Sequence, residues 1–157
     1  MTQDGTVGRE RVVAAAAELG LEVDVRERPP ASSLEESAAR LGIEPADIVK
    51  TLVLKRSDGG FVFALVPGDR QIAWKKLRAV LGVNKLQLPD AEQALGATGY
   101  ERGTITPLGS TTAWPVVADT SITGRTVAMG AGEHGWGAWV DADALIAVLE
   151  ATVADIT

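Results

Sequence analysis

A chain of 157 residues, 46% hydrophobic and 23% charged, has the makeup of one globular domain and can bury a sizeable core. It has no cysteine, which excludes disulfides and thiolate metal sites, and no apolar run long enough to span a membrane. Its net charge of −6, from 15 basic and 21 acidic residues, argues at first sight against a nucleic-acid partner.

In chain order, residues 1–8 are expected to be a flexible N-terminus ahead of a single domain. Met1 to Glu10 is polar and lacks the basic-then-apolar layout of a signal peptide, so a cytoplasmic, soluble protein is expected. Arg9 to Leu19 reads as an amphipathic helix stopped by Gly20. Leu21 to Glu27 alternates as a strand, and Arg28 to Ser33 is a Pro-rich loop. Ser33 with Glu36 suggests a capping box for a helix through Leu41. Ile48 to Arg56 and Phe61 to Val66 form strands joined by the turn Ser57-Asp58-Gly59-Gly60. Ala73 to Leu81 is a short helix ended by Gly82, and Asp90 caps another through about Leu95. Short strands follow near 85–88, 104–106, 115–118, 126–129 and 138–140. Asp141 caps a last helix, Ala142 to Ala151. Hairpins mixed with scattered helices point to an α+β domain around one sheet rather than a doubly wound parallel fold.

The charge is unevenly spread. Between Lys50 and Lys85 eight basic residues face only Asp58 and Asp69, a surplus of six, while the rest of the chain carries twelve net negative charges. Local potential, not total charge, steers a polyanion. Arg70, Lys75 and Lys76 in this stretch could form a nucleic-acid-binding face; the alternative is a solvated surface.

Several residues stand out chemically. Lys50 is a lone lysine in an apolar strand, sharing a face with Ile48 and Leu52. It either holds a ligand oxygen or guards a strand edge. Gly103 to Pro107 spells G-x-x-x-P. Backbone amides of Gly103, Thr104, Ile105 and Thr106 could donate to a carbonyl, or the segment could be a plain turn. Tyr100 could line a pocket or sit in the core. His134 is the sole histidine, a ready base near neutral pH or merely an exposed side chain. One histidine without cysteine leaves only carboxylates to complete a zinc site, and no metal or cofactor is expected. The stretch from Gly130 through Gly132 to Gly137 has no phosphate-loop or dinucleotide spacing. Trp136 and Trp139 flank it and could stack an adenine or pack in the core. No nucleophile–histidine–acid triad can be assembled around Ser110 or Ser121.

Taken in order, Ile48-Val49-Lys50-Thr51-Leu52-Val53-Leu54, Leu65-Val66-Pro67-Gly68-Asp69, Trp74-Lys75-Lys76-Leu77, Thr98 to Gly109 and Pro115-Val116-Val117-Ala118-Asp119 resemble the YbaK/ProX family of aminoacyl-tRNA deacylases. This fold also occurs as the editing insertion of bacterial prolyl-tRNA synthetases. The resemblance implies a mixed, barrel-like central sheet flanked by helices, with a pocket for the aminoacylated 3′ end of tRNA. It implies that Lys50 and the Gly103–Pro107 backbone hold the ester, and that the 130–137 segment walls the pocket. Asp119 matches an acidic family position and either orients Lys50 or ends its strand. Met129 is expected to fill remaining pocket space. Gly130 and Gly137 stand where cysteine-specific members typically carry Ser and Asp.

The function so implied is trans-acting removal of a small mischarged amino acid, Cys or Ala, from tRNA, with tRNA(Pro) as substrate and prolyl-tRNA synthetase as a candidate partner. The attacker would be water, or the substrate thiol for Cys-tRNA, assisted by the tRNA's own 2′-hydroxyl. The rival is a non-catalytic module that binds a nucleotide or tRNA end beside a synthetase, in keeping with the missing Ser and Asp.

Overall fold

The computed structural model describes residues 8–157, so the expectation of a flexible terminus lies, for residues 1–7, outside the described residues. Gly8 is already helical: α1 spans Gly8–Leu19. Then come β1 (Asp24–Glu27), α2 (Leu34–Leu41), β2 (Val49–Arg56), β3 (Phe61–Pro67), α3 (Trp74–Leu81), β4 (Leu86–Gln87) and α4 (Ala91–Thr98). The remaining elements are β5 (Val116–Asp119), β6 (Thr126–Gly130), β7 (Trp136–Asp141), α5 (Ala142–Leu149) and β8 (Thr152–Ala154).

Local chemistry sets most boundaries. The Ser33 hydroxyl accepts from the Glu36 amide at the start of α2, and the Asp90 and Asp141 carboxylates accept from Gln93 and Ala144 at the starts of α4 and α5. Two expectations about single elements fail. Residues 104–106 form no strand; they are a loop held by its own turns. The last helix stops at Leu149, and β8 follows. Glu150 adopts φ 52 there, a left-handed cap whose amide bonds back to Ala147 and Ile146.

The strands form two sheets. One has the order β1-β7-β6, the other β4-β2-β3-β5-β8. β3, β5 and β8 run parallel, and β2 pairs antiparallel with β3, Lys50 opposite Val66. The sheets meet where Ile48, just before β2, bridges Ala128 of β6 in parallel, but they do not close into a barrel. The larger core cluster takes Val49 and Val53 from β2, Val127 and Met129 from β6, and Ala138 and Val140 from β7. A smaller cluster of Leu54, Val62, Ala64, Val66, Leu77, Val117 and Ile156 covers the other face of the five-stranded sheet. No helix among the described residues is long and apolar enough to cross a membrane.

Candidate active site

Strand alternation decides which side chains meet. Val127 and Met129 point into the larger core, so Ala128 and Gly130 point to the opposite face. Their partners on β7 are Trp139 and Gly137, which share that face. Ile48 bridges Ala128, and Lys50, two residues on, lies on the same side of β2, which runs close to β6. One surface therefore carries Lys50, Gly130 and Gly137. The Gly103–Pro107 loop rests on it: a Cβ added at Gly130 would lie 2.8 Å from the Ile105 carbonyl oxygen and 3.1 Å from that of Thr104. The Gly132 amide donates to the Thr104 carbonyl at 2.9 Å and fastens the loop to the 130–137 segment.

The Thr104 amide donates to Glu101, but the amides of Gly103, Ile105 and Thr106 bond to none of the described residues. Gly103 is exposed, with φ +92, a conformation that L side chains rarely adopt. A Cβ there would come within 3.6 Å of His134 Cε1, so the lone histidine sits beside this loop. The Lys50 ammonium donates to the Arg70 carbonyl at 2.8 Å, which leaves two of its three donors.

The Pro-rich loop after β1 supplies a wall the sequence did not single out. A pocket of about 480 Å³ is lined by Arg28, Pro29, Pro30, Leu34, Ser37 and Gly135. The Arg28 amide donates to the Gly135 carbonyl at 2.8 Å, and its guanidinium reaches the Ser37 hydroxyl at 3.3 Å. The Arg28 side chain passes over Gly137, where a Cβ would meet its Cδ at 3.4 Å. Burial lowers the Arg28 pKa from its ordinary value, a direction that a bound anion would oppose. Leu34 packs against Gly68, whose amide donates to the Ile48 carbonyl, so this pocket adjoins the start of β2. An arginine directly before a Pro-Pro pair was the available signal.

Other expected site residues lie elsewhere. Tyr100 is only 2% exposed, so its ring belongs to the core: its hydroxyl donates to the Leu108 carbonyl at 2.7 Å and the Arg11 guanidinium stacks on it at 4.3 Å. Burial pushes its phenol up to about 12. Met129 is fully buried on the core side of β6 and does not wall the pocket. Thr104 and Thr106 are buried and turn their hydroxyls to the Glu101 carbonyl and the Leu108 amide. Ile105 packs in the core, and Pro107 is buried beside it. Asp119 does not pair with Lys50. Its buried carboxylate caps the turn at Ser121 and accepts from the Ile156 amide at 2.9 Å and the Thr157 hydroxyl at 3.2 Å. Both tryptophans carry an arginine on the ring, Arg9 over Trp136 at 4.3 Å and Arg26 over Trp139 at 4.6 Å. Among the described residues no three His, Asp or Glu side chains converge as metal ligands.

The expected tRNA-binding residues divide. Lys75 is exposed on α3. Lys76 pairs with Asp155 at 2.8 Å and bonds the Thr157 carbonyl at 3.0 Å, and Arg70 reaches the Thr157 hydroxyl at 3.3 Å. The Lys76 hydrogen bond holds the Asp155 carboxyl below its usual range.

Fold and site together describe an α+β domain in which Lys50, Gly130 and Gly137 share one face beside the Gly103–Pro107 loop. Residues 28–147 match the aminoacyl-tRNA editing domain family. A provisionally assigned Cys-tRNA(Pro)/Cys-tRNA(Cys) deacylase of Enterococcus faecalis is 30% identical over 126 residues, 80% of this chain and 77% of that one. The proline–tRNA ligase of Thermosipho africanus is 43% identical over 82 residues, covering 52% of this chain and 14% of the ligase. The chain thus spans only a small part of the ligases it matches. A solved structure, provisionally described as a trans-editing enzyme for prolyl tRNA synthetase, superimposes with a TM-score of 0.88 at 26% identity, over 97% of this chain and 98% of that one. The chain belongs to the aminoacyl-tRNA editing domain family.

Proposed function

We propose that the protein hydrolyses the ester between a small amino acid, Cys or Ala, and the 3′ ribose of tRNA, acting in trans on tRNA(Pro). The observation that carries this reading is the face that Lys50 shares with Gly130, beside a loop whose exposed Gly103 has an amide that bonds to none of the described residues. Donors fixed in a loop stabilise the charge that develops on an ester carbonyl oxygen, and they need no reorganisation as the reaction proceeds. Two free Lys50 protons serve the same oxygen or the neighbouring phosphate. Water adds to the carbonyl carbon. The bond to the ribose oxygen breaks and that oxygen takes a proton, releasing free amino acid and uncharged tRNA. For Cys-tRNA the substrate's own thiol can attack instead: the carbon–sulfur bond forms, the ribose oxygen leaves with the thiol's proton, and water then opens the resulting cyclic thiolactone to free cysteine.

Small side chains fit because backbone crowds the site: the Thr104 and Ile105 carbonyls lie where any Gly130 side chain would stand. Gly130 and Gly137 present neither hydroxyl nor carboxylate to a polar side chain. Sorting by size alone yields about 1–3 kcal/mol, so activity spreads over several small residues. The names of the relatives support the choice of tRNA(Pro) and of prolyl-tRNA synthetase as partner. The experiment is deacylation of a panel of Cys-, Ala-, Ser-, Thr- and Pro-tRNA. Hydrolysis of Cys- or Ala-tRNA ahead of the others is expected. Strict selectivity for Thr refutes the size-sorting pocket. Inactivity on every substrate with retained tRNA binding replaces this reading with a non-catalytic tRNA-end-binding module.

A further inference from the structure

The basic stretch between Lys50 and Lys85 is divided by the fold into two unlike halves. Around Arg70 and Lys76 the positive charge is met by Asp155 and by the oxygens of Thr157. Arg56 is met by Asp58 at 3.4 Å. Three further cations converge on a separate cleft of about 410 Å³ at the far end of β2: Lys55, Arg78 and Lys85, with Ser57, Asn84 and Gln87 completing its lining. Among the described residues no carboxylate lines this cleft. None of the three cations pairs with a described acidic residue.

The fold builds this convergence from separate elements. Lys55 stands in β2 directly opposite Gln87 of β4. Arg78 lies in the last turn of α3, which is closed by a left-handed Gly82. The turn that follows carries Asn84 and Lys85 back to the strand. Lys55 and Arg78 are half-buried, and Lys85 is exposed at the rim. Three like charges held together repel one another, and an anion relieves that repulsion. Hydroxyl and amide side chains between them add donors without adding negative charge.

We propose that this cleft binds the phosphodiester backbone of RNA, as a second contact for the tRNA whose 3′ end occupies the Lys50 site. The inference rests on the deacylase reading for the identity of the RNA. Lys50 and Lys55 are five residues apart on one strand, on the order of 16 Å. The odd spacing turns Lys55 to the opposite face of β2 from Lys50, so RNA that contacts both rounds the edge of the five-stranded sheet, where β4 covers β2 only at Lys55 and Arg56, and meets the cleft several nucleotides from its end. The contact is to phosphates and carries no base specificity. It supplies affinity for an acidic protein whose overall field opposes RNA, and it leaves the choice of amino acid to the other end of β2.

The test uses uncharged tRNA(Pro) transcript and the full chain, with fluorescence anisotropy at several salt concentrations. Replacing Lys55, Arg78 and Lys85 together by Ala should weaken binding about tenfold or more and lower the slope of log affinity against log salt by about 2 to 3. Thermal melting monitors folding. The paired change Lys55→Arg and Lys85→Arg, which keeps the charges, should bind as the wild type does. If the alanine variant melts normally and keeps wild-type affinity and salt slope, the cleft is not an RNA contact. Equal weakening of polyglutamate binding would also overturn the proposal, since the cleft would then be a general anion trap. The readout needs no hydrolysis. A protein inactive on every aminoacyl-tRNA that still loses tRNA affinity in the alanine variant refutes the deacylase and keeps the cleft. An active enzyme with unchanged affinity does the reverse.

Discussion

Gly130 is where packing and substrate choice meet, and Gly130→Ala isolates its effect. Its backbone is not among the positive-φ glycines, so alanine brings no conformational strain and only space is at issue. The new Cβ would lie 2.8 Å from the Ile105 carbonyl oxygen, whereas ordinary contact begins at 3.4 Å. The loop must therefore retreat by about 0.6 Å, the difference between these distances. Overpacking of this kind costs about 1–3 kcal/mol, or roughly 2–12 °C in melting temperature for a domain of this size. A 1 Å misplacement of catalytic groups can cost about 100-fold in rate, so a shift of this size should lower kcat/KM about tenfold. Gly130→Ser should lose at least as much, because its hydroxyl adds to the crowding. The assay is single-turnover deacylation of Cys- and Ala-tRNA beside thermal melting. Wild-type hydrolysis and wild-type melting in Gly130→Ala would show that the loop does not bear on Gly130 and would remove the steric basis for small substrates.

Lys50→Ala should reduce deacylation about 100-fold or more, as loss of an oxyanion donor does, while the melting temperature holds, because its one hydrogen bond among the described residues is to the carbonyl of exposed Arg70. Wild-type turnover in that variant would remove Lys50 from the mechanism. Replacing Lys75 and Lys76 by Glu should raise KM for tRNA and flatten its salt dependence, measured as KM across a salt series; an unchanged series would leave α3 a solvated surface. Tyr100→Phe strands the buried Leu108 carbonyl and should cost about 1–3 kcal/mol in urea unfolding. The native phenol is pushed up to about 12 from an ordinary 10, so the folded state keeps a proton that the unfolded chain releases. That contribution is whole below pH 10 and falls between pH 10 and 12, by about 2–3 kcal/mol in all. The alkaline loss should be present in the wild type and absent from Tyr100→Phe.

Order along the chain settled the local elements, because their signals are local. Capping side chains such as Ser33, Asp90 and Asp141 act within three residues, and the Ser57–Gly60 turn fixes a hairpin without help from afar. The lone lysine in β2 and the G-x-x-x-P loop were legible for the same reason, and the motif order carried the family. β8 was not, because Thr152–Ala154 becomes a strand only by lying parallel to β5. Nor were the fates of Tyr100, Met129 and Asp119. Each has a side chain suited to a pocket, and each is turned inward by partners far away: Arg11 on the Tyr100 ring, the Val127–Met129 alternation against β7, and Ile156 and Thr157 on the Asp119 carboxylate. Likewise the sequence showed a surplus of positive charge but not its division, since Asp155 neutralises Lys76 from 79 residues away while Lys55, Arg78 and Lys85 are left facing one cleft. Residue type and spacing determine what a segment can do. Which face it turns to its neighbours is decided by long-range packing, where one residue of strand register exchanges core for surface.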